Sequence, residues 1–235
     1  MDKLPFISVL AKAVTKLMPS DESLDPSLIE QSSSIALGQA KEEILKMGYI
    51  TVRGLKESLQ YLLSNQNKHR EAASQFDGVM NNLDGKIAGY LTRLAAKDLS
   101  KAESNKYSML KNARQDIEII GNHFEKIMEI AEYQITTKTY LPEMIVSDIK
   151  EMFQNSIDTF ELAIIAFDHY DLDSAKDAVA KGTQKRTLQG THMEKMLLST
   201  QTPNGPDRTA DLVLSFRAIR DHAVNIAAAI IGERQ

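Results

Sequence analysis

Apolar residues recur every three or four positions along most of this chain. From about Ser33 to Ser64 the series is Leu37, Ala40, Ile44, Met47, Thr51, Leu55, Leu59 and Leu62. That step follows the 3.6-residue turn of an α-helix, so the series falls on one face and predicts a long amphipathic helix. A second series, Phe76, Met80, Leu83, Ile87, Tyr90 and Leu94, predicts a helix over about Arg70 to Lys97. The third is the most regular: Leu110, Ala113, Ile117, Ile120, Phe124, Ile127 and Ala131 alternate steps of three and four. No proline stands between Pro26 and Pro142, so no interior residue forces a kink or removes a helical hydrogen bond. Three stripes of this length predict a left-handed three-helix bundle with crossing angles near about 20°.

Thr136 to Pro142 breaks the pattern, and three further helices follow. The fourth, over about Pro142 to Asp168, carries Ile149, Phe153, Ile157, Phe160, Ile164 and Phe167. A fifth is predicted from Leu172 to Ser199, with Asp171 or Asp173 as its N-cap and a weaker stripe of Leu172, Ala175, Val179, Met193 and Met196. Its middle, KGTQKRTLQG, is polar and contains Gly182 and Gly190, which predicts the least stable helix of the set. TQTPNGPD reads as a turn, and a sixth helix then aligns Leu212, Phe216, Ile219, Ala223, Ile226 and Ile230. No alternating pattern points to a strand.

The third and sixth helices share more than a period. QDIEIIGNHFEKI, from Gln115 to Ile127, returns in fainter form as SFRAIRDHAVNI, from Ser215 to Ile226. Aligned on His123 and His222 the offset is 222 minus 123, or 99 residues. A repeat of that length is a supersecondary unit. The sequence therefore predicts an all-α fold, a tandem repeat of two antiparallel three-helix bundles with six long helices. The first bundle spans residues 32–136 and the second 142–235, after a leader of residues 1–31.

Composition narrows the function classes. At 235 residues and 43% apolar content the chain can bury a core in each half. A net charge of −4 argues against a general nucleic-acid binder, which needs a basic excess to displace phosphate counterions. With no cysteine there is no disulfide framework, thiolate chemistry or cysteine-ligated zinc. Leu4 to Met18, LPFISVLAKAVTKLM, is too short to span a bilayer alone and lacks a signal-peptide cleavage site. It reads either as an amphipathic arm or as the cytoplasmic end of a transmembrane helix, with Lys12 and Lys16 obeying the positive-inside rule.

Catalysis finds no motif here. A ferritin-like di-iron site needs Glu-x-x-His, yet Gln66, Ile120, Ala166, Gln189 and Ile219 precede the five histidines by three. There is no Walker loop, Rossmann glycine set, His-Glu-x-x-His or Gly-x-Ser-x-Gly. His123 and His222 adjoin the buried stripes and are expected to border the core and hydrogen-bond across helices. His69 and His192 have polar surroundings and are expected to be solvated. In FDHYDLD the absence of an EF-hand glycine and closing glutamate favours helix capping over calcium binding. Gly38, Gly48, Gly85 and Gly89 lie within helical stretches and suggest close helix approach or local give.

DIEIIGNHFEKI and FRAIRDHAVNIA resemble the twin signature segments of the PhoU family, and EEILKMG resembles that family's opening helix. The likeness runs over about residues 32–235. LDPSLIEQSSSIALGQAKEEILKMG is similar to the segment that joins the membrane part of bacterial sodium/phosphate cotransporters to their C-terminal cytoplasmic PhoU-like domain. With PFISVLAKAVTKLMP before it, that similarity favours the transmembrane reading of the leader. The resemblance implies a regulatory domain, not an enzyme, on the cytoplasmic face of the inner membrane. Its implied partners are the transporter domain of the same polypeptide and further copies of itself, and phosphate binding by the domain is not expected. The family's other form, a soluble adaptor acting on a phosphate ABC transporter or sensor kinase, is the alternative.

The resemblance also implies a metal motif, Glu-x-x-x-Asp in each bundle, whose carboxylates project together one turn apart and suit hard cations. The matching positions are Glu118 with Asn122 and Arg217 with Asp221, and Asp116 stands near the first pair. Both motifs depart from the family pattern. Asn122 lacks the charge, and the fixed cation of Arg217 replaces a carboxylate. Asp116, Glu118, Asn122 and Asp221 are the candidate ligands for a divalent metal or iron cluster, and no cofactor is expected beyond that.

Overall fold

The computed structural model describes residues 24–141, 143–183 and 208–233. Eight helices form among them: α1 (Pro26–Gln31), α2 (Ser33–Ser64), α3 (Asn67–Ala95), α4 (Lys101–Gly121), α5 (His123–Thr137), α6 (Glu143–His169), α7 (Leu172–Thr183) and α8 (Thr209–Glu233). No strand occurs among the described residues. Local chemistry sets several boundaries. Asp25 caps α1 by accepting from the Ser27 amide at 2.8 Å, with Pro26 in the first turn, where its missing N–H costs nothing. Ser100 and Glu103 form a reciprocal capping box at the start of α4. Asp171, one of the two expected caps, accepts from the Ser174 amide at 3.1 Å and opens α7 at Leu172.

The predicted stripes are buried. Every named position of the first, third, fourth and sixth series lies in the core, and in the second Phe76 alone is only partly covered. One departure concerns the third helix, which the stripe presents as continuous. The helix divides at Asn122, between α4 and α5, where the backbone stays right-handed and the Asn122 N–H still donates to the Glu118 carbonyl at 3.0 Å, and Ile117, Ile120, Phe124 and Ile127 stay buried throughout. Gly121 supplies the reason for a close approach there. A Cβ on it would lie 2.2 Å from the Met80 sulfur of α3, so glycine leaves room there for the buried Met80 side chain. In the fifth helix Ala175 is buried and Val179 partly covered; Met193, Met196, Gly190, His192 and the TQTPNGPD turn lie outside the described residues, as does Leu4 to Met18.

Cross-helix pairs give the directions. Tyr90 Oη donates to Gln39 Oε1 at 2.9 Å and His69 Nδ1 lies 2.7 Å from Glu57, so α3 runs antiparallel to α2. Arg114 with Asp84, and Arg70 with Glu132 at 2.7 Å, set α4 and α5 antiparallel to α3. Lys181 meets Asp158 at 3.0 Å, making α7 antiparallel to α6. The halves are themselves opposed. Lys41 donates to the Asp168 carbonyl and Lys56 pairs with Glu161 at 2.6 Å, so α2 and α6 run in opposite directions. One continuous cluster of buried side chains joins both halves. At its centre Gly48 of α2 leaves room for Ile164 of α6, whose Cδ1 would stand 2.5 Å from an added Cβ.

Candidate functional site

The signature stretches of the two repeats face each other. α4 and α8 pass antiparallel, and Asp116 Oδ1 of α4 lies 2.7 Å from His222 Nδ1 of α8. An ionised carboxylate only accepts, so the bond places the hydrogen on Nδ1 and turns Nε2 away from it. Asn225, one turn further along α8, donates to the same carboxylate oxygen at 3.3 Å. Both partners are mostly covered, with side-chain exposures of 15% for Asp116 and 26% for His222. A hydrogen bond in such a site gains from the lower local dielectric, and losing one partner leaves the other unsatisfied.

His123 occupies the equivalent position in the first repeat and has a different environment. It is 4% exposed, and its Nδ1 has no hydrogen-bond partner. Burial pushes its pKa down to about 4, with the charges of Lys126 and His222 acting in the same direction. His123 is therefore a neutral core imidazole at neutral pH. The expectation of a cross-helix hydrogen bond holds for His222 and not for His123 Nδ1. His69 also differs from its sequence reading: it is partly buried, and its Nδ1 is 2.7 Å from Glu57, because the α2–α3 turn folds it back onto α2.

Of the four candidate metal ligands, Glu118 and Asn122 meet each other, while Asp116 is engaged across the seam and Asp221 stands beside Arg220. Asp116 is engaged by His222 and Asn225, and Glu118 accepts from the Asn122 amide at 3.0 Å. Asp221 is 71% exposed in its side chain and lies 3.7 Å from Arg220. Among the described residues no three of His, Asp and Glu stand together as a metal site. The donor set does not fit a bound cluster: the nearest carboxylate to each motif already has a hydrogen-bonding or cationic neighbour, and carboxylates must converge to hold a hard cation. In chemical terms the seam can hold two helices in register.

Two features of this region escape a reading of the sequence. Asp116 lies two turns before His123, on the same face, yet its partner is the histidine of the other repeat. Lys41 sits with its ammonium 4.1 Å from the Tyr170 ring centre while donating to the Asp168 carbonyl, and burial lowers its pKa. Nothing in the period marks it, because it is a polar residue flanking an apolar stripe.

No helix among the described residues is long and apolar enough to cross a membrane. No protein-family model matches the sequence, and no curated protein matches it. Among solved structures, the chain is similar to the phosphate transport system regulatory protein PhoU from Streptococcus pneumoniae, with a TM-score of 0.69 and 16% identity. That likeness covers 87% of this chain and 97% of the other, so it takes in both repeats. The chain has a PhoU-like fold.

Proposed function

We propose that this chain is a regulatory domain of phosphate uptake, acting at the cytoplasmic face of the inner membrane on a sodium-dependent phosphate cotransporter of the same polypeptide. The observation that carries the reading is the correspondence, through both repeats, with a protein described as a phosphate transport regulator. Attachment to a cotransporter rests on the resemblance of the leader and its linker. The domain acts by contact: a rigid helical body that binds one state of the transporter better than another shifts the balance by that difference in affinity. Self-association is part of this reading, whereas catalysis, nucleic-acid binding and phosphate binding by the domain are not.

A second reading is a soluble adaptor for a phosphate ABC transporter or sensor kinase. The solved relative, named as a regulatory protein, favours it equally. An antibody to residues 32–235 separates the two by the size and location of the native polypeptide in fractionated source cells. A membrane-bound product well above 26.2 kDa is expected; a soluble product of about that mass selects the adaptor. Deleting residues 32–235 from the native gene should also alter phosphate uptake, and unchanged uptake at both high and low phosphate would sink both readings.

A further inference from the structure

The outer face of α3 exposes Glu71, Gly78, Asn82, Gly85, Gly89 and Arg93, stacked along one side of the helix by the 3.6-residue turn. Its charges lie at opposite ends, Glu71 near the start of α3 and Arg93 in its last turn. Among the described residues neither has an ion-pair partner, and Glu71 holds only the Asn67 amide of its own helix, at 2.6 Å. The face is its own mirror image about Asn82. Glu71 precedes that residue by 82 minus 71, or 11, and Arg93 follows it by 93 minus 82, also 11. Gly78 and Gly85 mirror each other to within one residue, as do Ser74 and Gly89. A Cβ on Gly78, Gly85 or Gly89 would meet nothing within 4 Å, so packing inside the described body does not require glycine there. Glycine weakens an exposed helical position relative to alanine, and what it leaves is bare backbone that a second helix can approach closely.

We propose that the outer face of α3 docks antiparallel on the same face of a second copy of this chain, with the two-fold axis at Asn82 and a Glu71–Arg93 ion pair at each end. Charge complementarity selects this occupant. Across a two-fold axis residue i of one chain meets residue j of the other, and j meets i, so a self-pairing face must complement itself. In this register each unpaired carboxylate meets an unpaired guanidinium and small residues meet small residues; a parallel pairing would set Glu71 against Glu71. A groove of about 360 Å³ beside Gly85, Gly89 and Arg93 lies level with Gln75 of the second copy and takes its side chain. One helix face is smaller than the roughly 800 Å² per partner of a standard interface, so the dimer is a weak one. This surface gives the self-association of the functional reading its place, and rests on that part of the reading alone.

Because the chain contains no cysteine, single introduced cysteines report cleanly. In the full chain, concentrated and mildly oxidised, Asn82→Cys lies at the axis and is expected to close a disulfide between two molecules. Ser74→Cys, equally exposed, would stand roughly 24 Å from its own copy along the paired helices and is expected to stay reduced. Sedimentation velocity reads the pairing without cysteines. Arg93→Glu should weaken association about tenfold, and adding Glu71→Arg to it should restore the affinity, with circular dichroism verifying each fold. A chain that stays monomeric at every concentration would refute the self-association reading and this proposal with it. Dimers in which Ser74→Cys crosslinks as readily as Asn82→Cys, or which ignore the charge swap, would leave self-association standing and overturn the α3 surface.

Discussion

Asp116 and His222, 106 residues apart in sequence, meet at 2.7 Å across the seam between the two repeats. The 99-residue offset that aligns the histidines places Ser215 opposite Asp116 in the repeat, so the counterpart of this pair is Ser215 with His123. One half has a carboxylate for its histidine and the other has a buried serine. The Nδ1 of His123 has no hydrogen-bond partner. Asp116→Ala should cost about 1–3 kcal/mol, since His222 and Asn225 lose their shared acceptor. Urea denaturation at pH 7 measures it. Ser215→Asp should give His123 the carboxylate it lacks and raise its pKa, which proton NMR of the imidazole reads directly; an unmoved titration would refute the equivalence.

Acid should weaken the fold through His123. Its pKa is about 4 in the folded chain against 6.5 for an unperturbed histidine. Between those values the unfolded chain binds a proton that the folded chain refuses, so stability rises with pH across that window. The contribution is complete above pH 6.5, falls as pH drops toward 4, and amounts to on the order of 3 kcal/mol at most. The lowered carboxyl pKa values of Asp25, Glu103 and Asp171, each due chiefly to hydrogen bonds from neighbouring serines, add losses of the same sign at lower pH. Replacing His123 by Asn should flatten the slope between pH 6.5 and 4 in a series of denaturation curves while leaving the lower limb in place.

Glycines at two kinds of position should respond in opposite ways. A Cβ at Gly54 would stand 2.5 Å from the ring of Phe124, which is fully buried and has no room to turn aside. Gly54→Ala should therefore destabilise by about 1–3 kcal/mol, as overpacking does. Gly85→Ala meets open space and should stabilise by about 0.5–1 kcal/mol. Thermal unfolding of the two variants side by side distinguishes them.

Reversing the charge at Arg217 tests what remains of the family's metal chemistry. Arg217→Glu places a carboxylate one helical turn from Asp221, where the two can project together. Calorimetric titration with zinc, and with iron under anaerobic conditions, should show binding to the variant that is absent from the parent chain. Equal heats for both would mean that the second motif has lost the ligand geometry along with the charge.

Much of this fold is written in the apolar period, and the reason is physical. Within one helix the period fixes which face must leave water, so the stripe through Leu37, Ile44 and Leu55 identifies its buried face without reference to anything distant. The division at Asn122 is invisible to that signal because the same face is buried on both sides of it. Which helix covers a stripe is likewise unspecified by the stripe. Thus Asp116 resembles any polar residue flanking a core position until α8 is brought beside α4. His69 reads as solvated for the same reason, its neighbours in sequence being polar while its neighbour in space is Glu57. The family's ligand pattern directs attention to Glu118 and Asp221, whereas the closest cross-repeat contact of the region uses Asp116 and His222.

The opposed course of the two repeats means that neither tip of the body belongs to one repeat alone. At one tip the Lys97–Glu30 pair of the first repeat lies toward the same end as Lys41 and its hold on the α6–α7 corner of the second. At the other, Arg70 grips Glu132 near the place where Arg208, at the start of α8, covers Tyr133. A load applied at either tip is thus shared by both halves from the outset, and the body can relay it along its length as a single strut.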